Sequence, residues 1–223
     1  MEDTIAAIAT AYGEGGIGVI RISGNQARDI MDRIFISKYL QNAESIANKR
    51  LYYGHITDPT DGQVIDEVLS VFMKAPATYT KEDVVEIYCH GSTVALRKTL
   101  ALILRNGARL AEKGEFTKRA FLNGRLDLSQ AEAVIDIVRA KTNKSFDVAM
   151  TQMEGALSKR VREIRQAMMD LLVEITVNLD YPDEDIEVLT YNKLQHSLSL
   201  ISDRIEKLRS TAATGRIIRE GPS

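Results

Sequence analysis

Apolar and polar positions alternate with two different periods in this chain, and the change from one to the other falls in residues 114–133. Before that stretch the apolar runs are short and carry a period of two. Residues 4–9, 19–23, 51–57, 64–73 and 84–90 read as strands, and Asp61-Gly62 between the third and fourth is a hairpin-type turn signal. Two helical stripes interrupt them. One, capped by Asn25, carries Ala27, Ile30, Ile34 and Phe35; the other opens at Ser92, carries Leu96, Leu100, Ile103 and Leu104, and closes at Gly107. The polar, mixed segment 37–50 reads as loop, and residues 109–111 as a last short strand.

Within 114–133, Phe116, Ala120 and Phe121 give one short helical face, and Asn123-Gly124 supplies its stop. Ser129 followed by Glu132 has capping-box spacing, with Ala131, Ile135 and Val138 continuing a new stripe. Lys118, Arg119 and Arg125 crowd this bend, an arrangement that can hold an anion. From Ser129 onward only helices are expected. Met150, Met153, Leu157, Val161, Ile164, Met168, Leu171, Ile175 and Leu179 predict a single helix of about eight turns or more, ending at Asp180-Tyr181-Pro182. After the acidic segment 183–187, Leu194, Leu198, Ile201, Ile205, Leu208 and Ala212 form another long stripe. Two such stripes require cover, from a second copy or from further sequence. The element order gives an α+β fold class: a mixed-sheet domain over 1–117, then an all-α long-helix domain over 118–223.

Composition narrows the function classes. At 223 residues and 44% hydrophobic content the chain can bury a substantial core. No run approaches the roughly 18 apolar residues of a membrane span, and residues 1–20 lack a signal-peptide pattern. One cysteine, Cys89, excludes an internal disulfide framework and fits a cytoplasmic location. A formal net charge of -2 argues against binding nucleic acid mainly through phosphate contacts, so any RNA contact is local or lies outside these residues.

Several motifs invite chemistry. Residues 13–18 match G-x-G-x-x-G, yet they run into strand-like Val19-Ile20-Arg21-Ile22 instead of opening the helix a dinucleotide site needs, so a tight strand-to-strand connection is expected. No G-x-x-x-x-G-K-[ST] occurs, so the chain alone is not expected to hydrolyse nucleotide. Cys89 and His90, adjacent on a strand, point to opposite faces and make a poor nucleophile-base pair; a buried structural cysteine is expected. His55, His90 and His196 show no metal-ligand spacing, and no metal is expected. Glu86 falls on the more polar face of its strand, either solvated or accepting paired hydrogen bonds from a planar heterocycle such as a pterin or guanine. Arg21, between Ile20 and Ile22, is either an exposed strand cation or an anion ligand. Lys159, Arg160, Arg162 and Arg165 read as a solvated helix face.

Taken together, residues 13–24, 79–91, 114–133 and the Asp-Tyr-Pro at 180–182 resemble the N-terminal part of the MnmE (TrmE) family of bacterial tRNA modification GTPases, and the resemblance covers essentially the whole chain. It implies an N-terminal domain like the folate-binding domain of aminomethyltransferases, which binds a tetrahydrofolate derivative (5-formyl- or 5,10-methylene-tetrahydrofolate) and forms a homodimer. It also implies a helical domain into which a GTPase domain with GTP, Mg²⁺ and K⁺ is inserted. With the FAD-dependent partner MnmG, the family installs a 5-carboxymethylaminomethyl-type group on the wobble uridine of tRNA. Carried over by position, the folate contacts fall on Arg21, Glu86 and Arg125, and no catalytic residue falls in this segment. On that resemblance the GTPase domain and the C-terminal helices are expected to be absent, making the chain a fragment. His90-Gly91-Ser92 stands where the family usually has His-Gly-Gly. The alternatives are a free-standing folate-dependent aminomethyltransferase and a purely structural dimerisation module.

Overall fold

The computed structural model describes residues 3–11, 13–40, 46–180 and 191–220, with 211–220 in backbone only. The chain divides into two compact units, Met1–Leu126 and Asp127–Ser223. The sequence pattern placed the division earlier, between 117 and 118. The short helix over Glu115–Leu122 groups with the first unit because its side chains bond to the residues that precede it.

The first unit is a seven-stranded mixed sheet. Its strands are β1 (Ile5–Ile8), β2 (Gly15–Ser23), β3 (Phe35–Ile36), β4 (Leu51–Thr57), β5 (Val64–Met73), β6 (Val84–Gly91) and β7 (Arg109–Leu110), in the order β3-β4-β5-β6-β2-β1-β7. Every pairing is antiparallel except β1 with β7. Helices α1 (Ala27–Ile34) and α2 (Thr93–Arg105) pack on one face. There Ile20, Ile22, Val68, Phe72, Val85 and Ile87 from the strands meet Ile30, Met31, Ile34, Leu102 and Ile103 from the helices in one buried cluster. The period-two pattern thus assigns odd positions of β6 to the core and Glu86, Tyr88 and His90 to the other face. That other face leaves Ile17, Leu51, Tyr53 and Leu69 exposed.

Two local expectations change. Gln26, not Asn25, is the N-cap of α1; Asn25 instead accepts a hydrogen bond from Thr4 Oγ1 (3.3 Å), and the same hydroxyl accepts from the Gln26 backbone N–H (3.0 Å). A residue preceding β1 therefore holds the backbone at the start of α1, which no local spacing reveals, while no side chain caps the helix itself. The glycine run is not a connection alone: Gly15, Gly16 and Gly18 lie inside β2, with an irregularity in pairing between Gly15 and Ile17. A Cβ on Gly18 would sit 2.5 Å from Leu96 Cδ1, so this glycine admits α2 against the sheet and cradles no pyrophosphate.

A third helix, α3 (Glu115–Leu122), completes the first unit. The second unit consists of α4 (Leu128–Arg139), α5 (Asn143–Met153), α6 (Ala156–Asp180) and α7 (Tyr191–Glu220). The capping box of α4 is Asp127 with Gln130, not Ser129 with Glu132, and a second box joins Thr142 to Ser145 on α5. The expected single helix from Met150 to Leu179 is two. Gly155 at φ +83 ends α5, and Gln130 Nε2 donates to the Met153 carbonyl (2.9 Å) at the break. The apolar period carries on across that one left-handed residue, so the pattern alone conceals it. At 25 residues α6 is still long, about 37 Å. Leu171 on α6 and Ile201 on α7 are buried, whereas Leu157, Val161, Met168, Leu172, Leu198 and Ile205 are exposed. The acidic segment 183–187 and Pro182 fall outside the described residues. Among those described, no helix is long and apolar enough to cross a membrane.

Candidate functional site

Strand register brings the first two site residues together. Arg21 on β2 lies directly opposite Glu86 on β6, both on the face turned away from α1 and α2. The Arg21 guanidinium donates through Nε (2.8 Å) and Nη2 (2.7 Å) to Glu86 Oε1, and the Tyr88 hydroxyl donates to Glu86 Oε2 (2.8 Å). Glu86 is therefore not a solvated strand residue; its side chain is 15% exposed and both oxygens are engaged. Burial, aided by the hydrogen bond to Glu86, pushes the Tyr88 phenol above its ordinary pKa and keeps it a donor.

Aromatic rings wall the pair. The Arg21 guanidinium carbon lies 5.7 Å from the ring centroids of both Tyr79 and Phe116. Arg125 reaches the same tyrosine, 4.7 Å from its centroid. The reason lies in how α3 ends. Gly124 takes φ +69, the Arg125 backbone N–H returns to the Ala120 carbonyl (2.8 Å), and the terminus is tied to the segment before β6. Asn123 Nδ2 donates to the Thr80 carbonyl (2.6 Å) and Lys81 Nζ to the Gly124 carbonyl (3.0 Å), while the Tyr79 and Thr117 hydroxyls pair at 2.9 Å. Arg21, Glu86 and Arg125 thus come together around Tyr79.

Arg119 corrects the idea of a bend with spare charge. Its side chain is 0% exposed and committed to Asp3, Glu82 and Glu115, at 2.9, 3.2 and 3.1 Å. Arg109 joins the same cluster through Asp3 and Glu115 (2.6 Å each), and chiefly its hydrogen bonds hold the Glu115 carboxyl down at about 2. Arg119 is a structural cation: its Nε has no hydrogen-bond partner, but the whole side chain is sealed from any ligand anion.

Cys89 points into the core, 2% exposed, and burial pushes its thiol up to about 12. His90, the next residue, turns outward. Native chain incubated with iodoacetamide at neutral pH is expected to stay unalkylated at Cys89, and to react fully in urea; rapid native labelling followed by mass spectrometry would contradict this burial. His55 lies on β4, His90 on β6 and His196 on α7, and among the described residues no three His, Cys, Asp or Glu side chains are grouped to hold a metal.

Sequence reasoning missed Tyr79, Tyr88 and Phe116 as site residues. Tyr88 was within reach, since it sits two positions from Glu86 on the same strand face. Tyr79 and Phe116 join the site only through the docking of α3.

Fold and site together define an α+β sheet domain bearing a charged pair among aromatic rings, followed along the chain by a helical domain. The family described as "GTP-binding protein TrmE N-terminus" matches residues 4–125, and "MnmE helical domain" matches 128–223. The tRNA modification GTPase MnmE of Geobacillus kaustophilus is 54% identical over 220 residues, covering 98% of this chain and 48% of the relative. The proteins of that name from Alkaliphilus metalliredigens and Clostridioides difficile are 53% and 52% identical, each over 221 residues, 99% of this chain and 48% of the relative. The chain belongs to the MnmE (TrmE) family, and it spans about half the length of the curated relatives it matches.

Proposed function

We propose that this chain is the folate-binding, dimer-forming part of a tRNA modification GTPase, one that acts with MnmG at the wobble uridine using a tetrahydrofolate one-carbon unit. The observation that carries the reading is the convergence of Arg21 and Arg125 on the ring of Tyr79, with Glu86 paired to Arg21. A carboxylate offers about four acceptor positions. The bonds from Arg21 and Tyr88 leave room on Glu86 for the N–H edge of a pterin. Tyr79 and Phe116 offer ring surface, and the two guanidiniums meet polar or anionic groups of the ligand. When bound, the folate supplies the one-carbon unit, and these side chains bind and orient it.

Dimerisation is supported by the exposed Ile17, Leu51, Tyr53 and Leu69, which share with Glu86 the sheet face turned away from α1 and α2. GTP hydrolysis, with its Mg²⁺ and K⁺, belongs to the GTPase part of the full-length protein, and this chain by itself does not hydrolyse GTP. The protein works in the cytoplasm.

Calorimetric titration with 5-formyltetrahydrofolate tests the reading. Wild-type chain is expected to bind, and Glu86→Ala to bind about ten- to a hundredfold more weakly, the loss of a hydrogen-bonded charge being worth about 1.5–3 kcal/mol. Equal binding by both, or binding by neither, removes the assignment. A purely structural module would sediment as a dimer while ignoring folate.

A further inference from the structure

Beyond the Arg21–Glu86 pair, a second polar device lies at the end of β6, where His90 shares the face of Glu86. Asp66 on β5 is held by three donors: the His90 backbone N–H to Oδ2 (2.9 Å), and the Glu67 backbone N–H (2.9 Å) and the His90 ring Nδ1 (2.6 Å) to Oδ1. The Asp66 side chain is 8% exposed, whereas that of His90 is 66% exposed. A buried carboxylate thus fixes an outward imidazole, with the Nδ1 proton turned toward Asp66 and the Nε2 lone pair left free. The imidazole lines a concavity of about 320 Å³ together with Tyr53, Glu67, Leu69, Tyr88 and Ile17.

We propose that His90, oriented by Asp66, accepts a hydrogen bond at Nε2 from an N–H of the ligand bound at Glu86, forming the far end of one continuous site. The inference rests on the folate reading. Three observations carry it. Glu86, Tyr88 and His90 alternate along one strand, so His90 lies about 13 Å from Glu86, within the span of a pterin, benzoyl and glutamyl chain. Tyr88 bridges the two ends, bonding Glu86 and lining the His90 concavity. The lining also selects the class of group received. Carboxylates at Asp66 and Glu67 flank the imidazole, and among the described residues no Lys or Arg lines the concavity, so an N–H fits and a carboxylate does not.

The charged and titratable groups about His90 are Tyr53 and His55 on β4, Asp66 and Glu67 on β5, and Tyr88 on β6; β2 contributes Gly16 and Ile17, without charge. Tyr53 donates to Glu67 Oε1, which draws that carboxylate toward β4. The hydrogen bond to Asp66, and then its charge, raise the His90 pKa above 6.5. An imidazolium has no lone pair at Nε2 and cannot accept, so ligand affinity falls as pH drops through that raised value.

The test is calorimetric titration of the whole chain with 5-formyltetrahydrofolate between about pH 5.5 and 8.5, across the histidine range. Wild-type affinity is expected to fall below the His90 pKa by up to about tenfold per pH unit. His90→Gln keeps an acceptor at every pH, so its profile is expected to be flat. Asp66→Asn, lacking the charge that raises the imidazole, is expected to move the onset to lower pH. Parallel profiles for wild type and His90→Gln overturn this inference and leave the folate reading standing. Absence of wild-type binding at every pH overturns both.

Discussion

Replacing Arg119 by methionine is expected to lower the stability of the first unit by about 3–5 kcal/mol, the usual consequence of stripping one partner from a buried ion pair. The large value follows from what the side chain reaches. Its two terminal nitrogens serve the Asp3 carbonyl and carboxylate, Glu82 and Glu115, on three separate segments of the chain. Methionine fills the volume of the stem but leaves Glu82 and Glu115, 13% and 6% exposed, without that cation. Arg119→Lys is expected to recover only part of the loss, because an ammonium cannot reproduce a planar fork with several fixed donors. The residual Arg109–Glu115 pair retains its own pH signature. The Glu115 carboxyl is depressed to about 2, so its stabilisation is present above its ordinary value near 4.5 and is lost as pH falls toward 2. Equilibrium urea unfolding at pH 7 measures the effect. A loss under about 1 kcal/mol would mean that the cluster is not held as described. Because Glu82 also bonds Ser23 (2.7 Å), next to Thr80 and Tyr79 in the site segment, the variant is expected to weaken ligand binding as well.

The second large effect is expected at Gly91→Ala. Gly91 pairs with Gly15 where β6 meets the start of β2, and an added Cβ would enter the van der Waals envelope of the Gly15 carbonyl oxygen and lie 2.5 Å from its carbon. The obstacle is backbone, with no rotamer to yield, so the strand ends must part. A loss of about 2–3 kcal/mol is expected, at the upper end of overpacking effects. Gly18→Ala is the internal comparison: there the obstacle is Leu96 Cδ1 and Cδ2, the movable tip of a side chain, and about 1 kcal/mol suffices. Urea unfolding of both variants under one condition gives the ranking; a costlier Gly18→Ala would show that the two strands do not approach as closely as described.

Much of the fold was legible because local patterns carried it. Strands β4 and β5 show alternation on both sides of an Asp-Gly turn, and they form with Gly62 at φ +73. Facing singled out Glu86 and Arg21 with the solvated alternative open, the family resemblance named them as ligand contacts, and register set them side by side. What stayed hidden depends on partners distant in sequence or on a choice between equal local signals. Asp127 with Gln130 and Ser129 with Glu132 have the same spacing two residues apart, and pattern does not rank them. Arg119 looked like one cation among several, since nothing near it announces Asp3 or Glu82. Gly155 broke a helix whose apolar period ran straight on.

The sheet ends at both sides in strands of only two residues, Phe35–Ile36 and Arg109–Leu110. The two border strands themselves offer an incoming strand few backbone donors or acceptors, although β3 pairs only with His55 and Ile56 of β4. Growth by adding strands at β3 or β7 is thereby disfavoured, and on the proposed dimerisation two copies would meet face on, across the surface that carries Tyr53, Leu69 and Tyr88. Assembly and ligand capture would then share one side of the same sheet.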